Sequence, residues 1–153
     1  MIARFTNAFL MGVAFIAILD FLFFIGLKIN YIDFYMIKEY FNIFFIDNQN
    51  FYILLPLGFI VGYLILYSGY AKFFIRVYLL AIFLSAATIY QPIGKLVGEK
   101  IFLKENMRFK LGSTTFSADH LYTSRQSIFL YRKDLSKTIK LESAEVTVLT
   151  PWQ

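Results

Sequence analysis

The stretch FYILLPLGFIVGYLILYSGYAKFFIRVYLLAIFLSAATIY, residues 51–90, decides the fold. It holds two apolar segments joined by the short polar break Ser68-Gly69-Tyr70-Ala71-Lys72. A helix needs about 20 consecutive apolar residues to cross a bilayer, and this stretch supplies nearly two such runs in tandem. The pattern predicts a membrane hairpin, with one span over about Phe51–Tyr70 and the next over about Phe73–Tyr90. Gly58, Gly62 and Gly69 fall within about 40° of one another at about 3.6 residues per turn, and Ala81, Ser85 and Thr88 repeat the spacing. Small-residue faces let backbones approach closely, so the two are expected to pack as a tight antiparallel pair. The alternative is that one of them dimerises. Gly58-Phe-Ile-Val-Gly62 matches the membrane dimerisation pattern, which also arises often by chance.

The same physics extends toward the N-terminus. Phe5 to Leu27 forms another apolar run, too long for the core of a signal peptide and ended by Lys28-Ile29-Asn30, so a retained span is expected. Asn30 to Asn50 is polar-flanked, with Phe34, Ile37, Phe41, Phe44 and Phe45 at helical spacing opposite Lys38, Glu39 and Asn42. That pattern predicts a helix lying in the membrane interface or packed on its own bundle.

Beyond the hairpin, Gln91-Pro92 is expected to stop the third helix. Ile93 to Lys104 reads as a basic juxtamembrane connector. From Met107 the period changes to 2, and short strands are expected near Arg108–Leu111, His120–Thr123, Ser127–Arg132, Thr138–Leu141 and Val146–Leu149. Turns fall at Gly112-Ser113 and at 133–137. The organisation that results is a transmembrane helical domain over 1–92, a connector over 93–106 and a small β-rich soluble module over 107–153. In fold class this is a membrane α-helical protein, three transmembrane helices plus an interfacial helix, with a small C-terminal antiparallel β module. So few residues make a marginal core, so the module is expected to lean on the helices or on a partner.

Composition agrees. The chain of 153 residues is 59% hydrophobic and 20% aromatic, with a mean hydropathy of +0.62. That exceeds what a core of this size can bury, and the surplus is expected to face lipid. No cysteine is present, which excludes disulfides and thiolate chemistry. Residues 91–153 carry ten Lys or Arg against six Asp or Glu, and residues 1–90 carry five against four. With three spans, Arg4, Lys72 and Arg76 share one side. Lys28, Lys38, Lys95, Lys100, Lys104, Arg108 and Lys110 share the other. Cytoplasmic loops hold the excess of Lys and Arg, so the N-terminus is expected outside and the β module in the cytoplasm of a bacterial inner membrane. Lys95, Lys100, Lys104 and Arg108 are the expected contacts to lipid headgroups.

Catalytic and metal-binding signatures are lacking. His120 is the only histidine, without the second ligand type that a metal shell needs. There is no G-x-S-x-G elbow and no phosphate-binding glycine loop. The basic residues of the tail alternate with acidic ones, which suits lipid headgroups better than nucleic acid. No cofactor is expected.

Asp20 is the one residue with an intramembrane claim. An ionisable group there costs roughly 2.5–3.5 kcal/mol to insert, so it is expected to face protein or water. It lies about seven residues, or roughly 10 Å, inside the boundary, near the depth of Ser85 and Gly58. A buried Asp20–Ser85 hydrogen bond is the expected structural use, with a proton pathway and a contact to a partner subunit as the alternatives. Taken together, the chain reads as a non-enzymatic adaptor or accessory subunit with a membrane-protein partner or a homo-oligomeric state. The rivals are a small oligomeric transporter or channel subunit using Asp20, and an immunity or assembly-type membrane protein.

Overall fold

The computed structural model describes residues 2–149, so the last four residues of the expected β module lie outside the described part. The first apolar run forms α1, Ile2–Leu27, which continues without a break as one wide π turn over Lys28–Ile32. Among the described residues, Ile2–Ile32 is the one helix that is by itself long and apolar enough to cross a membrane. The segment that follows is less helical than its spacing predicts. Residues 33–36 turn, 37–40 form no regular element, and only Phe41–Asp47 coils as α2. Tertiary packing overrides the helical period here, because Ile37 and Phe44 are pulled into one core with Leu27, Tyr31 and Ile32.

The hairpin is present as α3, Phe51–Tyr67, and α4, Ala71–Ala87, each 17 residues long. Ser68 shapes the turn between them, its hydroxyl donating to the Leu64 carbonyl and accepting from the Tyr70 amide. Bent helix pairs flank both: α2 meets α3 at 83°, and α4 meets the next helix at 89°. If each bent pair counts as one span, up to three helices could cross.

The glycine face does not pack where its spacing suggested. Gly58 and Gly62 lie against α1, so close that a Cβ at Gly62 would overlap the Ala8 carbonyl and one at Gly12 the Gly58 carbonyl. Gly12 completes this two-sided small-residue contact, whereas Gly69 faces open space. Backbone proximity therefore joins α1 to α3, and α4 lies along the flank of α1. Tyr78 donates to the Phe15 carbonyl at 3.0 Å, and the Thr88 hydroxyl lies 3.2 Å from the Phe23 carbonyl.

The expected connector is also a helix. α5, Gln91–Phe102, starts after an extended Tyr90, and Pro92 sits in its first turn. A proline costs a helix no hydrogen bond there, because the first amides have no partner inside the helix. Pro92 thus marks a sharp bend and a new start.

Five strands follow: β1, Lys104–Leu111; β2, Thr114–Thr123; β3, Ser127–Arg132; β4, Lys137–Glu142; and β5, Val146–Leu149. They form one antiparallel sheet in the order β4-β3-β2-β1-β5, with β5 returning to pair with β1 at one edge. One face has its own core of Phe109, Ala118, Ile128, Leu130 and Val146. The other puts Leu121, Tyr122 and Phe129 on the helices. A register shift between His120 and Tyr122 makes this possible, because a bulge lets two successive residues, Leu121 and Tyr122, both be buried.

Candidate functional site

The junction between helices and sheet gathers buried polar and aromatic groups from both, and it is built on the π turn. Widening the helix after Leu27 buries Asn30, Tyr31 and Ile32 together. The Asn30 side-chain amide donates to the carbonyls of Thr88 and Ile89, both at 2.8 Å, and so caps the end of α4. Tyr31 stacks on Phe102 with ring centres 5.6 Å apart, and its hydroxyl donates to the Leu121 carbonyl of β2 at 2.8 Å. Only glycine allows this approach at residue 98, where a Cβ would run into the Tyr31 ring. Phe44, Phe102 and Tyr122 close the cluster, with Tyr122 edge to face on both phenylalanines and the two phenylalanine rings tilted against each other. The sheet thereby rests on a collar made by α1, α2 and α5.

Polar ties fix the same arrangement at its rim. Tyr35 donates to Glu99 at 2.6 Å, and the Thr138 hydroxyl of β4 donates to the Tyr35 carbonyl at 2.6 Å. Burial and the Glu99 carboxylate hold the Tyr35 phenol well above its usual range, so it stays a donor. Arg125, in the β2–β3 turn, donates to Asp47 at 2.6 Å. Burial pushes Tyr122 up to about 12, and its hydroxyl accepts from Asn48 at 3.4 Å.

Three clefts open around the collar. The first, of about 630 Å³, lies between residues 34–38 and the outer strands; Lys38, Lys137 and Lys140 line it with Phe34, Met36 and Tyr131, and no carboxylate does. A second, of about 640 Å³, shares Met36, Lys38 and Lys140 and adds Lys28, Asp33 and Glu39. The third, of about 430 Å³, is lined by Lys104, Met107, His120 and Tyr122. His120 Nε2 meets the Thr123 hydroxyl at 2.7 Å, and burial lowers the affinity of its ring for a proton. Among the described residues no three His, Asp or Glu side chains gather as a metal site.

The structure separates the residues singled out by sequence. Asp20 is half-buried in α1 and forms no hydrogen bond to Ser85, nor to any other described residue. Thr88 takes the polar role instead, its hydroxyl donating to the Ser85 carbonyl at 2.7 Å. Gly58 and Gly62 serve α1, Gly69 serves no contact, and Ala81 lines an apolar recess with Leu19, Ile65 and Tyr78. Of the expected headgroup contacts, Lys95 lies 4.0 Å from the centre of the Phe34 ring and 3.8 Å from Glu99. Lys100 and Lys104 are exposed, and Arg108 is half-exposed within β1. Sequence reasoning passed over Asn30, Tyr31, Tyr35, Lys137 and Lys140. A polar Asn directly after an apolar run reads as a span end, and nothing local shows that it caps a helix 58 residues away.

Compared with known proteins, the chain matches no family model, no curated protein and no solved structure.

Proposed function

We propose that this chain is a small multi-pass protein of the bacterial inner membrane, a non-enzymatic accessory subunit whose three spans hold the β sheet at the cytoplasmic surface for a partner to dock on. The observation that carries this reading is the collar. The sheet is built onto the end of α1 through Tyr31 and onto the end of α4 through Asn30 and α5, so it is a fixed platform and not a tethered tail. Spans at α3 and α4 are supported by their surfaces: Leu80, Phe83 and Leu84 of α4 are 58%, 71% and 60% exposed, which is costly in water and favourable in lipid. A 17-residue helix is about 25 Å long, at the short end of what crosses a bilayer.

Two measurements test the reading. A cysteine at Ser68 is expected to be labelled by an impermeant reagent from outside, with a reporter after residue 153 active only in the cytoplasm; labelling of Ser68 solely after permeabilisation reverses the orientation. Purification in mild detergent is expected to retain a heterologous membrane protein at stoichiometric yield. Recovery of nothing but a homo-oligomer favours the transporter reading, for which Asp20, ionisable and without a hydrogen bond, is the supporting observation.

A further inference from the structure

The cleft beside β4 combines three properties that ordinary surface hollows lack together. Its charge is of one sign: Lys38, Lys137 and Lys140 line it and no carboxylate does. None of the three is drawn off by a described carboxylate, since the lysines that form ion pairs are Lys28, Lys95 and Lys133. Lys140 also approaches the Phe129 ring at 5.9 Å.

Its rim is apolar on one side. Met36 is 79% exposed and Phe34 44% exposed, at the lip of a cationic hollow where water would disfavour both. Met36 is held there in the left-handed region at φ 55, fixed by hydrogen bonds from its own amide to the Asp33 carbonyl and from the Ile37 amide to the Ile32 carbonyl. A non-glycine residue keeps such a conformation only where its surroundings impose it.

Its position is set by α1. The lip begins two residues after Ile32, where the one long apolar helix among the described residues ends; with that helix in a bilayer, as proposed above, this is the level at which acyl chain gives way to phosphate. The neighbouring hollow does not share the charge property, because Asp33 and Glu39 line it and Asp33 is paired with Lys28.

We propose that this groove binds the phosphate of an anionic phospholipid headgroup, with Lys38, Lys137 and Lys140 supplying the charge and Phe34 and Met36 entering the acyl region below. The tyrosine and serine hydroxyls that line it, Tyr131 and Ser136, are placed to donate to the remaining headgroup oxygens. An acidic protein segment would satisfy the lysines and leave the exposed Met36 and Phe34 facing water; a lipid satisfies both. The proposal rests on the helices lying in a bilayer. It does not depend on the docking role of the sheet.

Native mass spectrometry of the full chain in detergent micelles tests it, with phosphatidylglycerol and phosphatidylcholine of equal chain length as probes. Phosphatidylglycerol is expected to be retained on the order of tenfold better. The triple variant Lys38→Gln, Lys137→Gln, Lys140→Gln is expected to lose that preference, while Lys72→Gln with Lys110→Gln, both exposed and outside the groove, keeps it. These lysines are exposed, so the triple variant is expected to fold, and an unchanged melting temperature verifies that. Equal retention of the two lipids, or an undiminished preference in the triple variant, overturns the proposal. Displacement of the lipid by equimolar inorganic phosphate or by an oligoglutamate peptide overturns it as well, by assigning the groove to a free anion or to an acidic protein segment. Release of the wild-type chain from membranes by alkaline carbonate would strike at the bilayer placement itself, a failure distinct from loss of lipid preference.

Discussion

Asn30 and Thr88, 58 residues apart, are joined by a hydrogen bond of 2.8 Å from the Asn30 amide to the Thr88 carbonyl, with the Ile89 carbonyl taking the second proton at the same distance. One side chain thus satisfies the Thr88 and Ile89 carbonyls just past α4, while the Thr88 hydroxyl and the turn amides serve the carbonyls of 85–87. Replacing Asn30 by Leu strands the first two. At about 1–3 kcal/mol for each buried polar group left without a partner, and with the Ile89 carbonyl only partly buried, Asn30→Leu is expected to cost on the order of 2–4 kcal/mol, read as a lowered unfolding midpoint in detergent. Asn30→Asp keeps the shape but turns donors into acceptors, and is expected to be no better at pH 7. A neutral effect of both would mean that the bend between α4 and α5 holds without the cap.

Tyr31 makes the matching contact to the sheet, and its two parts are separable. Tyr31→Phe removes only the hydroxyl that meets the Leu121 carbonyl, at a cost of about 1 kcal/mol. Tyr31→Ala also removes the ring from between Phe102 and Tyr35, for about 3–5 kcal/mol. The informative readout is local. Amide exchange in β2 and β3 is expected to accelerate in Tyr31→Ala while α1 and α3 stay protected, because the sheet loses its seat and the helix pair keeps its glycine contact. Uniform acceleration across the whole chain would show that collar and bundle unfold as one.

Glycine packing separates the expected partner helix from the observed one. Gly62→Ile drives a side chain into the Ala8 carbonyl, and overpacking of this kind costs about 1–3 kcal/mol. Gly69→Ile meets nothing and is expected to cost little. A cysteine pair at Phe5 and Phe59, whose rings stack 5.8 Å apart across α1 and α3, should cross-link, whereas a pair at Phe59 and Ser85 should not. Cross-linking of the second pair alone would restore α4 as the partner.

These outcomes mark where sequence is informative. Strand positions were legible because each alternation is local: Ser127–Arg132 and Val146–Leu149 stand where the period of 2 put them. The identity of the helix facing Gly62 was not, since a small-residue face announces close packing without naming its partner, and Gly12 lies in a stretch where nothing else marked a contact. The helix over Gln91–Phe102 was missed for a similar reason. Pro92 reads as a stop from the side of α4 and as a first-turn residue from the side of α5, and only the extended Tyr90 between them decides. The cationic groove joins residues more than 90 positions apart, Lys38 to Lys137 and Lys140, which no local pattern could pair.

Asp20 now carries a sharper prediction than its sequence allowed. A structural hydrogen bond would make Asp20→Leu damaging and Asp20→Asn harmless. Without any hydrogen bond to lose, Asp20→Leu is expected to fold as well as the wild type, or better, because it removes a polar group that is costly at that depth. Activity in a deletion strain then discriminates. If both variants fold and restore function, the residue is incidental to the accessory role; if both fold and neither restores it, an ionisable group in α1 is required, and the transporter reading gains the ground.

His120 gives the chain a pH response that can be attributed to one residue, because it is the only histidine. Burial lowers its folded-state proton affinity below the ordinary value near 6.5, so the unfolded chain binds the proton more readily. Between these two pKa values the unfolded state holds more protons, and stability therefore rises with pH. The contribution is fully present above about pH 6.5 and is lost as pH falls from there toward the folded-state value. Melting temperatures of the full chain in detergent, taken from pH 7.5 down to pH 5.5, are expected to fall for the wild type. The slope should flatten in His120→Gln, which keeps a hydrogen-bonding partner for Thr123 and cannot titrate. An equal slope in the variant would place the response on carboxylates elsewhere and leave the His120 cleft indifferent to pH.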